Sequence, residues 1–371
     1  PILKEKCVNC HIKGGVAPFA MDSYLMVQGW SAMIKEVLMT KRMPPAQVDP
    51  SISKFTNAGY MNAADLQTLV HWVDAGAPGA ESGKDPLLSS EPVDSIWELG
   101  EPDYIVEVPA FTVPATGVLS YEDVSINLPF EEDVWVKSVQ HIPGDRRVLH
   151  HLTSYVVSTG QSERSDRNDR ETYIEFLEGY APGKTGAVSY PEDTGVFIPV
   201  GSEVQISLHY TPFGKEVVDR TMLGLYFAKQ RPKYQYSTLS LSHGGESILI
   251  PPNINDHKMS ASYLFDEEVI LHGLRPHMHY RGKYMRMSAI YPDGVREDII
   301  NVPNYSFAWQ PTYRLVEPIL LPEGTRVLIE GAFDNSHHNL GNPDPNAIVR
   351  GGAQSWDEMF IGYFSYRRTG K

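Results

Sequence analysis

The sequence predicts a multidomain protein in which one small all-α domain precedes two all-β domains. Apolar residues recur at helical spacing only within about the first 80 residues. From about residue 103 onward, apolar and polar residues alternate in short runs, a pattern typical of strands with one buried face. The 30 glycines and 28 prolines provide many turns between such runs. The strand-rich part is too long for one small sandwich, so we expect two jelly-roll-like antiparallel β-sandwiches.

These patterns predict four segments along the chain. We expect a helical domain over residues 1–80 and a linker over 81–102, where proline, glycine and serine are frequent. The first β-sandwich is expected over 103–228 and the second over 229–371. The stretch 161–171 is strongly polar and is expected to be a solvated loop.

Composition excludes several classes of protein. Hydrophobic residues make up 42% of the chain and charged residues 21%, which is ordinary for globular proteins and excludes a disordered chain. The formal charge of −14 makes nucleic acid an unsuitable partner. The sequence has no run of 18 apolar residues, so we expect no membrane span.

Local signals place the main elements. We expect helices over 33–39 and 65–73, with Asn62 beginning the second helix and Gly76 ending it. We expect strands at Tyr104–Val108, Val134–Val139, Val204–Tyr210, Arg326–Glu330 and Met359–Phe364.

Both cysteines of the chain lie in one motif, Cys7-Val8-Asn9-Cys10-His11. A Cys-x-x-Cys pair followed by His is typical of covalent c-type haem attachment, in which His11 would ligate the iron. The helical domain is therefore predicted to be cytochrome c-like. Haem c is attached outside the bacterial cytoplasm, so we expect a periplasmic or otherwise exported protein, although no signal sequence is present in this chain.

The second iron ligand should be a downstream methionine or histidine. Met43 is the main candidate, because the flanking Pro44 and Pro45 would fix the backbone that presents its thioether. Other methionines remain alternatives, although methionine at helical spacing is more often a core residue: Met21, Met26, Met33, Met39 and Met61. We expect His71 to be packed or at the surface.

The remaining histidines concentrate in the strand-rich part. With no cysteine left there, imidazole and thioether ligands favour copper over a closed zinc site. On a regular strand His277 and His279 would point to the same face. The adjacent His150 and His151 can share a metal only if one binds through its nearer nitrogen or the strand is bulged.

The order of these motifs resembles a known family. The motifs are Val148-Leu149-His150-His151, Tyr180-Ala181-Pro182-Gly183, Leu208-His209-Tyr210, His277-Met278-His279-Tyr280-Arg281-Gly282-Lys283 and Asp357-Glu358-Met359. Together they resemble the copper type II monooxygenases, which include the peptidylglycine α-hydroxylating and dopamine β-hydroxylating enzymes. The resemblance implies two copper ions. His150, His151 and His209 would hold the electron-transfer copper, and His277, His279 and Met359 the oxygen-activating copper.

The chain also departs from the animal members of this family. It has no cysteines for disulfides in the sandwiches, and a haem domain stands where those enzymes use ascorbate. In the peptide-hydroxylating enzymes an Arg, an Asn and a Tyr hold the substrate carboxylate. Arg275 and Tyr363 match two of these positions, whereas Ile361 occupies the Asn position, so a peptide-glycine substrate is not expected. Arg275 as a purely structural cation is an equal alternative.

The resemblance implies an enzyme that inserts one atom of O2 into a C–H bond of a small substrate. One haem c would relay electrons from an external donor, such as a redox protein, to two coppers. A periplasmic electron carrier, a copper chaperone or a copper oxidase remains the alternative. Nitrite or nitrous oxide chemistry is less expected, because such sites normally include a Cys or more histidines.

The other histidines have weaker interpretations. His141 could orient a copper ligand, and His337 and His338 lie either at a pocket rim or in an exposed loop. His272 is expected in the core or at the surface, and His243 and His257 have no evident partner.

Overall fold

The computed structural model describes most of the chain. Outside the described residues lie 9, 12, 14–16, 18, 45–47, 59–60, 81–82, 89–95, 160–171, 182–185, 244–246 and 371. The polar loop over 161–171, the Pro182-Gly183 motif, Pro45 and much of the linker over 81–102 therefore fall outside what the structure describes. None of the described helices is long and apolar enough to cross a membrane.

All helices of the described residues lie in the first 74 residues: α1 Ile2–Lys6, α2 Tyr24–Gly29, α3 Ser31–Met39 and α4 Ala63–Asp74. Both predicted helices are confirmed. The Asn62 side chain accepts a hydrogen bond from the Asp65 amide at 2.8 Å, and Gly76 follows α4 with a φ of +84°. A small core joins the helices and buries Met21, Val27, Ile34, Leu38 and Leu69.

The regular secondary structure of the remainder is formed by strands, which confirms the predicted mostly-β character. The strands are β1 Tyr104–Glu107, β2 Phe111–Val113, β3 Glu122–Asn127, β4 Val134–Ile142, β5 Leu149–Thr159, β6 Thr172–Tyr180, β7 Val188–Ser189, β8 Thr194–Ile198, β9 Glu203–Tyr210, β10 Val217–Asp219, β11 Met222–Phe227, β12 Tyr234–Ser242, β13 Leu249–Ile250, β14 His257–Leu264, β15 Val269–His277, β16 Gly282–Ile290, β17 Arg296–Val302, β18 Tyr313–Leu321, β19 Arg326–Phe333, β20 Val349–Arg350 and β21 Ile361–Arg368. The last of these begins at Ile361 and not at the predicted Met359.

One nine-stranded sheet runs through both halves of the β region. Its order is β1-β11-β4-β8-β12-β21-β15-β18, with β7 paired to β4. A short parallel pairing of β8 with β12, at Thr194–Tyr234 and Gly195–Gln235, joins the two halves. The boundary expected at residue 228 falls just before β12, where the chain passes from the first half to the second.

Each half of this sheet is covered by a separate four-stranded antiparallel sheet. The order β3-β9-β5-β6 covers the first half, and β14-β19-β16-β17 covers the second. Each layer pair encloses its own apolar core, the first containing Leu152 and Leu225 and the second containing Leu274 and Ile329. The architecture is therefore two β-sandwiches that share one continuous sheet.

The segment between α3 and α4 attaches to the second sandwich, which the sequence did not predict. Phe55 forms a β-bridge with Leu315 on β18, the edge strand of the large sheet. The Thr56 amide donates to the Arg314 carbonyl at 2.9 Å. Val48 and Phe55 are buried in the second apolar core. This docking segment, residues 48–57, fixes the helical region against the β-sandwiches.

Candidate metal centres

Three of the predicted histidines meet on two neighbouring strands of the first sandwich. His151 on β5 lies directly opposite His209 on β9, and the pairing register shifts between Leu149 and His151. This shift is a bulge at His150. A bulged strand is one of the two conditions under which the adjacent His150 and His151 could share a metal. One ligand nitrogen from each of the three histidines lies within 4.8 Å of the others.

The ring nitrogens of this set are arranged as metal ligands require. Nδ1 of His150 lies 3.0 Å from Nδ1 of His151. Two nitrogens bound to one metal at about 2.0–2.1 Å would lie about 2.9–3.4 Å apart. Nδ1 of His209 is buried and has no hydrogen-bond partner among the described residues. Nδ1 of His150 and Nδ1 of His151, with a ring nitrogen of His209, therefore fit a shared metal.

The outer nitrogens of the set are engaged by hydroxyl groups. Nε2 of His151 lies 2.6 Å from the Tyr121 hydroxyl, and Nε2 of His209 lies 3.3 Å from Oγ of Ser355. The Tyr121 ring also stacks on His209 at 4.9 Å. Such partners hold a ligating imidazole in one orientation and fix which nitrogen faces the metal.

Burial keeps these imidazoles neutral. It lowers the pKa of His150 to about 4 and that of His209 to about 3, and the pKa of His151 also falls well below its usual range. Neighbouring histidines add to this lowering, because two adjacent imidazolium ions would repel each other. Neutral imidazole is the form that binds metals, so the set is ready for a metal at neutral pH.

The second pair of histidines lies at the end of β15. His277 is the last residue of that strand, and His279 follows two residues beyond it, with the two ring centroids 5.1 Å apart. The expectation that both would point from one continuous strand is therefore wrong for His279, because β15 ends before it. The two imidazole rings nevertheless lie in contact with each other.

Each imidazole of this pair has Nδ1 directed at an oxygen. Nδ1 of His277 donates to Oε1 of Gln310 at 2.5 Å, and Nδ1 of His279 donates to the Asp357 carbonyl at 3.2 Å. Nε2 of Gln310 donates to the Phe307 carbonyl, which turns its oxygen toward His277. With the proton on Nδ1, each Nε2 has a lone pair for a metal. Burial lowers the pKa of His279 to about 4 and also holds the pKa of His277 well below its usual range.

Met359 follows Asp357 and Glu358, both of which hydrogen-bond to His279. The paired part of β15 and β21 ends with His277 opposite Ile361, two residues after Met359. The buried Glu358 carboxylate accepts hydrogen bonds from the amides of His279 and Arg281, at 2.9 and 2.6 Å. Glu358 thus fixes the Met359 segment against the histidine pair, and Met359 itself is half-buried.

Arg275 on β15 and Tyr363 on β21 are cross-strand partners, and Arg275 precedes His277 by two residues on the same strand. The Arg275 guanidinium is 2% exposed and lies 5.6 Å from the Tyr363 ring and 5.8 Å from the Phe176 ring. Its Nε has no hydrogen-bond partner among the described residues. Arg275 also lines a cavity of about 220 Å³, together with Gln310 and with Asn57 from the region before α4.

The haem motif lies at the start of the helical region. His11 is buried, and its Nδ1 donates to the Phe19 carbonyl at 2.9 Å, leaving Nε2 for iron. The thiols of Cys7 and Cys10 are free and half-buried. Met43 is 41% exposed, whereas Met21 is buried in the helical core. The structure describes no contact between Met43 and His11.

The motif interacts electrostatically with the first sandwich. Burial raises the pKa of Tyr180 to about 12, and the nearby Cys10 thiol adds to that rise. Tyr180 pairs across the strands with Leu152, the residue after His151.

The other histidines lie outside both sets. Nε2 of His141 lies 3.1 Å from Oγ of Ser154. His337 and His338 are exposed with ring centroids 4.0 Å apart, in agreement with the loop interpretation. His272 sits at a register shift in β15, with Nε2 buried and lacking a partner among the described residues. His71 is exposed, and Nδ1 of His243 donates to the Ser260 carbonyl.

Sequence reasoning missed the residues that surround the two sets. Tyr121, Ser355 and Gln310 each hold one candidate ligand, and Phe307 contacts both sets. These residues are far apart in the chain and belong to no motif, so no local signal could identify them.

The chain matches no known family model and no curated protein. Three solved structures illustrate the structural likenesses. The major capsid protein P2 of bacteriophage PM2 is 10% identical with a TM-score of 0.27, covering 70% of this chain and 97% of that one. The infectious bursal disease virus Gx strain structure is 9% identical with a TM-score of 0.18, covering 72% and 81%. PBCV-1 VP54, fitted into a reconstruction of the virophage Sputnik, is 7% identical with a TM-score of 0.23, covering 72% and 95%.

Proposed function

We propose that the protein is an exported haem- and copper-dependent monooxygenase that hydroxylates a C–H bond of a small substrate. The observation that carries the proposal is the convergence of ring nitrogens of His150, His151 and His209, together with the contact between the His277 and His279 rings. In the overall reaction, one oxygen atom of O2 enters the C–H bond. The other leaves as water, with two electrons and two protons supplied from outside the substrate.

Two copper ions fit the two donor sets. The three-histidine set would hold one copper, and His277, His279 and Met359 would hold the other. Bound copper would supply one-electron redox chemistry at the first set and O2 binding as Cu(I) at the second, where a thioether favours the reduced metal. The absence of cysteine from the β region argues against a closed zinc site there.

The residues of the two sets have different tasks. Tyr121 and Ser355 contact His151 and His209 at Nε2, which leaves Nδ1 of each ring for a metal. Gln310 and the Asp357 carbonyl do the same for His277 and His279. Such preorganisation lowers the reorganisation needed when a metal changes its oxidation state.

A c-type haem fits the helical region. Cys7 and Cys10 would form the thioether bonds and His11 would ligate the iron, with Met43 as the proposed sixth ligand. Bound haem would supply single electrons received from an external donor. The electrostatic interaction of Cys10 with Tyr180, whose strand β6 pairs with the His151 strand β5, supports delivery to the three-histidine set.

The substrate would bind near Arg275 and Tyr363. Arg275 is buried and makes no ion pair with a described carboxylate, so its charge is available for a polar or anionic group. A cavity of about 220 Å³ beside Arg275 indicates a small molecule and not a folded partner.

Metal analysis, an optical haem spectrum and O2 uptake test the proposal on one preparation. We expect one haem and two coppers per chain, with His150→Ala and His277→Ala each losing one copper. The exposed His337→Ala serves as the matched control, because that residue lies in neither set. Zinc in both sets, or fewer than two coppers after loading, would contradict the proposal. Two coppers with O2 reduction but without a hydroxylated product in any metabolite extract would support a copper oxidase instead.

A further inference from the structure

The cavity of about 220 Å³ beside Arg275 is built by three separate parts of the chain. Asn57 of the docking segment forms one wall, and Gly179 on β6 forms another from the first sandwich. Arg275 on β15, Thr312 just before β18 and Arg314 on β18 line it from the second sandwich. A segment of the helical region thus helps to enclose a cavity that both sandwiches also line.

Hydrogen bonds join the three walls. Nδ2 of Asn57 donates to the Thr312 carbonyl at 2.7 Å, and its Oδ1 accepts from the Arg314 amide at 2.9 Å. Nη2 of Arg314 donates to Oε2 of Glu178 at 2.9 Å, and Oγ1 of Thr312 donates to Oε1 of the same carboxylate at 3.2 Å. Glu178 is 4% exposed and precedes Gly179 on β6. The Asn57 side chain is therefore fixed relative to both sandwiches.

The cavity wall contains hydrogen-bonding groups that remain available for a ligand. Arg275 is 2% exposed, and its Nε has no hydrogen-bond partner among the described residues. A buried donor without a partner destabilises a fold, so such a donor beside a cavity indicates a bound molecule with an acceptor group. The bonds of Asn57 to Thr312 and Arg314 use one N–H and one lone pair, and a primary amide has one more of each. Both residues can therefore bond to a small molecule held in this cavity.

We propose that Asn57 is a specificity-determining residue of the substrate cavity, contributed by the helical region. A bound molecule with an anionic or other acceptor group contacts Arg275 and Asn57 together. Because Asn57 belongs to the docking segment, binding of that molecule and attachment of the segment to β18 strengthen each other by the same factor. This inference rests on the proposed function, since it takes as the substrate site a cavity whose wall residue Gln310 bonds to His277.

Binding of benzoate and benzamide to the full chain carrying haem and copper tests this role. The two probes are similar in shape, but only benzoate carries a charge. Asn57→Asp keeps the size of the side chain and adds a carboxylate to the cavity wall. We expect benzoate to bind at least about tenfold more weakly, because two negative charges then share one small cavity. The dissociation constant of benzamide, which is neutral, should change less than about threefold. Equilibrium dialysis with labelled probes measures both constants.

A matched control and a second measurement support this test. Asn304→Asp makes the same substitution at an exposed position and should leave both dissociation constants unchanged. In the unsubstituted protein, saturating benzoate should slow amide hydrogen exchange in residues 48–57 about fivefold or more, because a ligand that contacts Asn57 stabilises the docked segment. This second measurement needs no substitution, so it decides the question even if Asn57→Asp does not fold.

The outcomes separate the inference from the proposed function. An equal loss of benzoate and benzamide affinity in Asn57→Asp would show general damage to the cavity and overturn the specificity role. An unchanged benzoate affinity in that variant would also overturn it, as would the absence of benzoate binding to the unsubstituted protein or amide exchange in residues 48–57 that benzoate does not alter. Fewer than two coppers per chain would instead contradict the proposed function, whatever the probes bind.

Discussion

Met359 differs from the other candidate copper ligands because it donates a thioether. A thioether is a weak ligand for Cu(II) but suits Cu(I), so two histidines should still retain the oxidised metal without it. We predict that Met359→Ala keeps most of its copper but loses most of its turnover, whereas His277→Ala loses both the metal and the activity at that set. Copper analysis and product formation, measured on the same preparations, would check this prediction.

The matched control for Met359 is Met33, which is 47% exposed on α3 and far from the pair in sequence. Met33→Ala should leave copper content and turnover unchanged. Wild-type turnover in Met359→Ala would show that Met359 is a packing residue and that the family resemblance does not extend to this position.

At the scale of the element, the docking segment is fixed by a few backbone and side-chain hydrogen bonds. Nδ2 of Asn57 donates to the Thr312 carbonyl at 2.7 Å, and its Oδ1 accepts from the Arg314 amide at 2.9 Å. These bonds continue the pairing of the segment with the open edge of β18. An edge strand offers unpaired backbone groups, so it can accept such an added strand.

We predict that Asn57→Ala weakens this docking by about 1–3 kcal/mol, because one of the lost bonds leaves a partly buried amide without a partner. Amide hydrogen exchange should then rise in residues 48–57 and in the facing part of β18. Exchange in β5 and β9 should not change, since the three-histidine set does not contact this segment. Asn304→Ala, at an exposed position, is the control. If residues 48–57 were equally protected from amide hydrogen exchange in Asn57→Ala and in the unsubstituted protein, the prediction would be refuted.

At the scale of the whole molecule, buried histidines make stability depend on pH. Burial lowers the pKa of His272 to about 4, with a smaller contribution from the Arg367 charge. In the unfolded chain a histidine has a pKa near 6.5, so between about pH 6.5 and 4 the unfolded state binds the proton and the folded state does not. The free energy of unfolding is therefore highest above pH 6.5 and decreases as the pH falls through this window.

We predict that His272→Gln makes this decrease less steep. The number of protons that the chain takes up on unfolding in this pH window should fall by up to one. His272 belongs to neither candidate metal set, so copper binding should be unaffected. Urea unfolding at several pH values between 4 and 7 would measure the slope, with the exposed His337→Gln as the control. An identical slope in His272→Gln would show that this imidazole is protonated in the fold.

The relation of the helical region to the first sandwich leads to a kinetic prediction. Because Cys10 interacts with Tyr180, and Tyr180 pairs with Leu152 beside His151, a haem attached at Cys7 and Cys10, as proposed above, would be expected to transfer electrons to the three-histidine set. We predict that reduced haem is reoxidised faster in the copper-loaded protein with O2 and substrate than in the copper-free protein. Tethering in one chain also raises the effective concentration of the donor to roughly the millimolar range.

Stopped-flow absorbance at the haem band measures this rate. His209→Ala should slow reoxidation while leaving the haem spectrum unchanged. The double variant Cys7→Ala, Cys10→Ala should lose activity with a protein donor but keep some with a small reductant. A reoxidation rate that does not depend on copper would show that the haem does not supply the copper sites.

Several features could be predicted from the sequence because their signals are local. Alternating apolar residues predicted the strands, and Asn62 and Gly76 predicted the ends of α4, since capping and backbone preference act within a few residues. The Cys-x-x-Cys-His motif and the histidine pairs were also visible, because each occupies one short stretch of chain. These signals identified every candidate ligand of the two histidine sets.

Only the tertiary structure decided how those residues are arranged. The bulge at His150, the end of β15 before His279 and the attachment of Phe55 to β18 all depend on pairing between strands that are distant in sequence. The positions of Gln310 and Phe307 depend on how the connection before β18 folds back against both sandwiches. A sequence pattern records which face of an element is apolar, but it does not record which distant element will cover that face, and that choice sets the geometry between the two histidine sets.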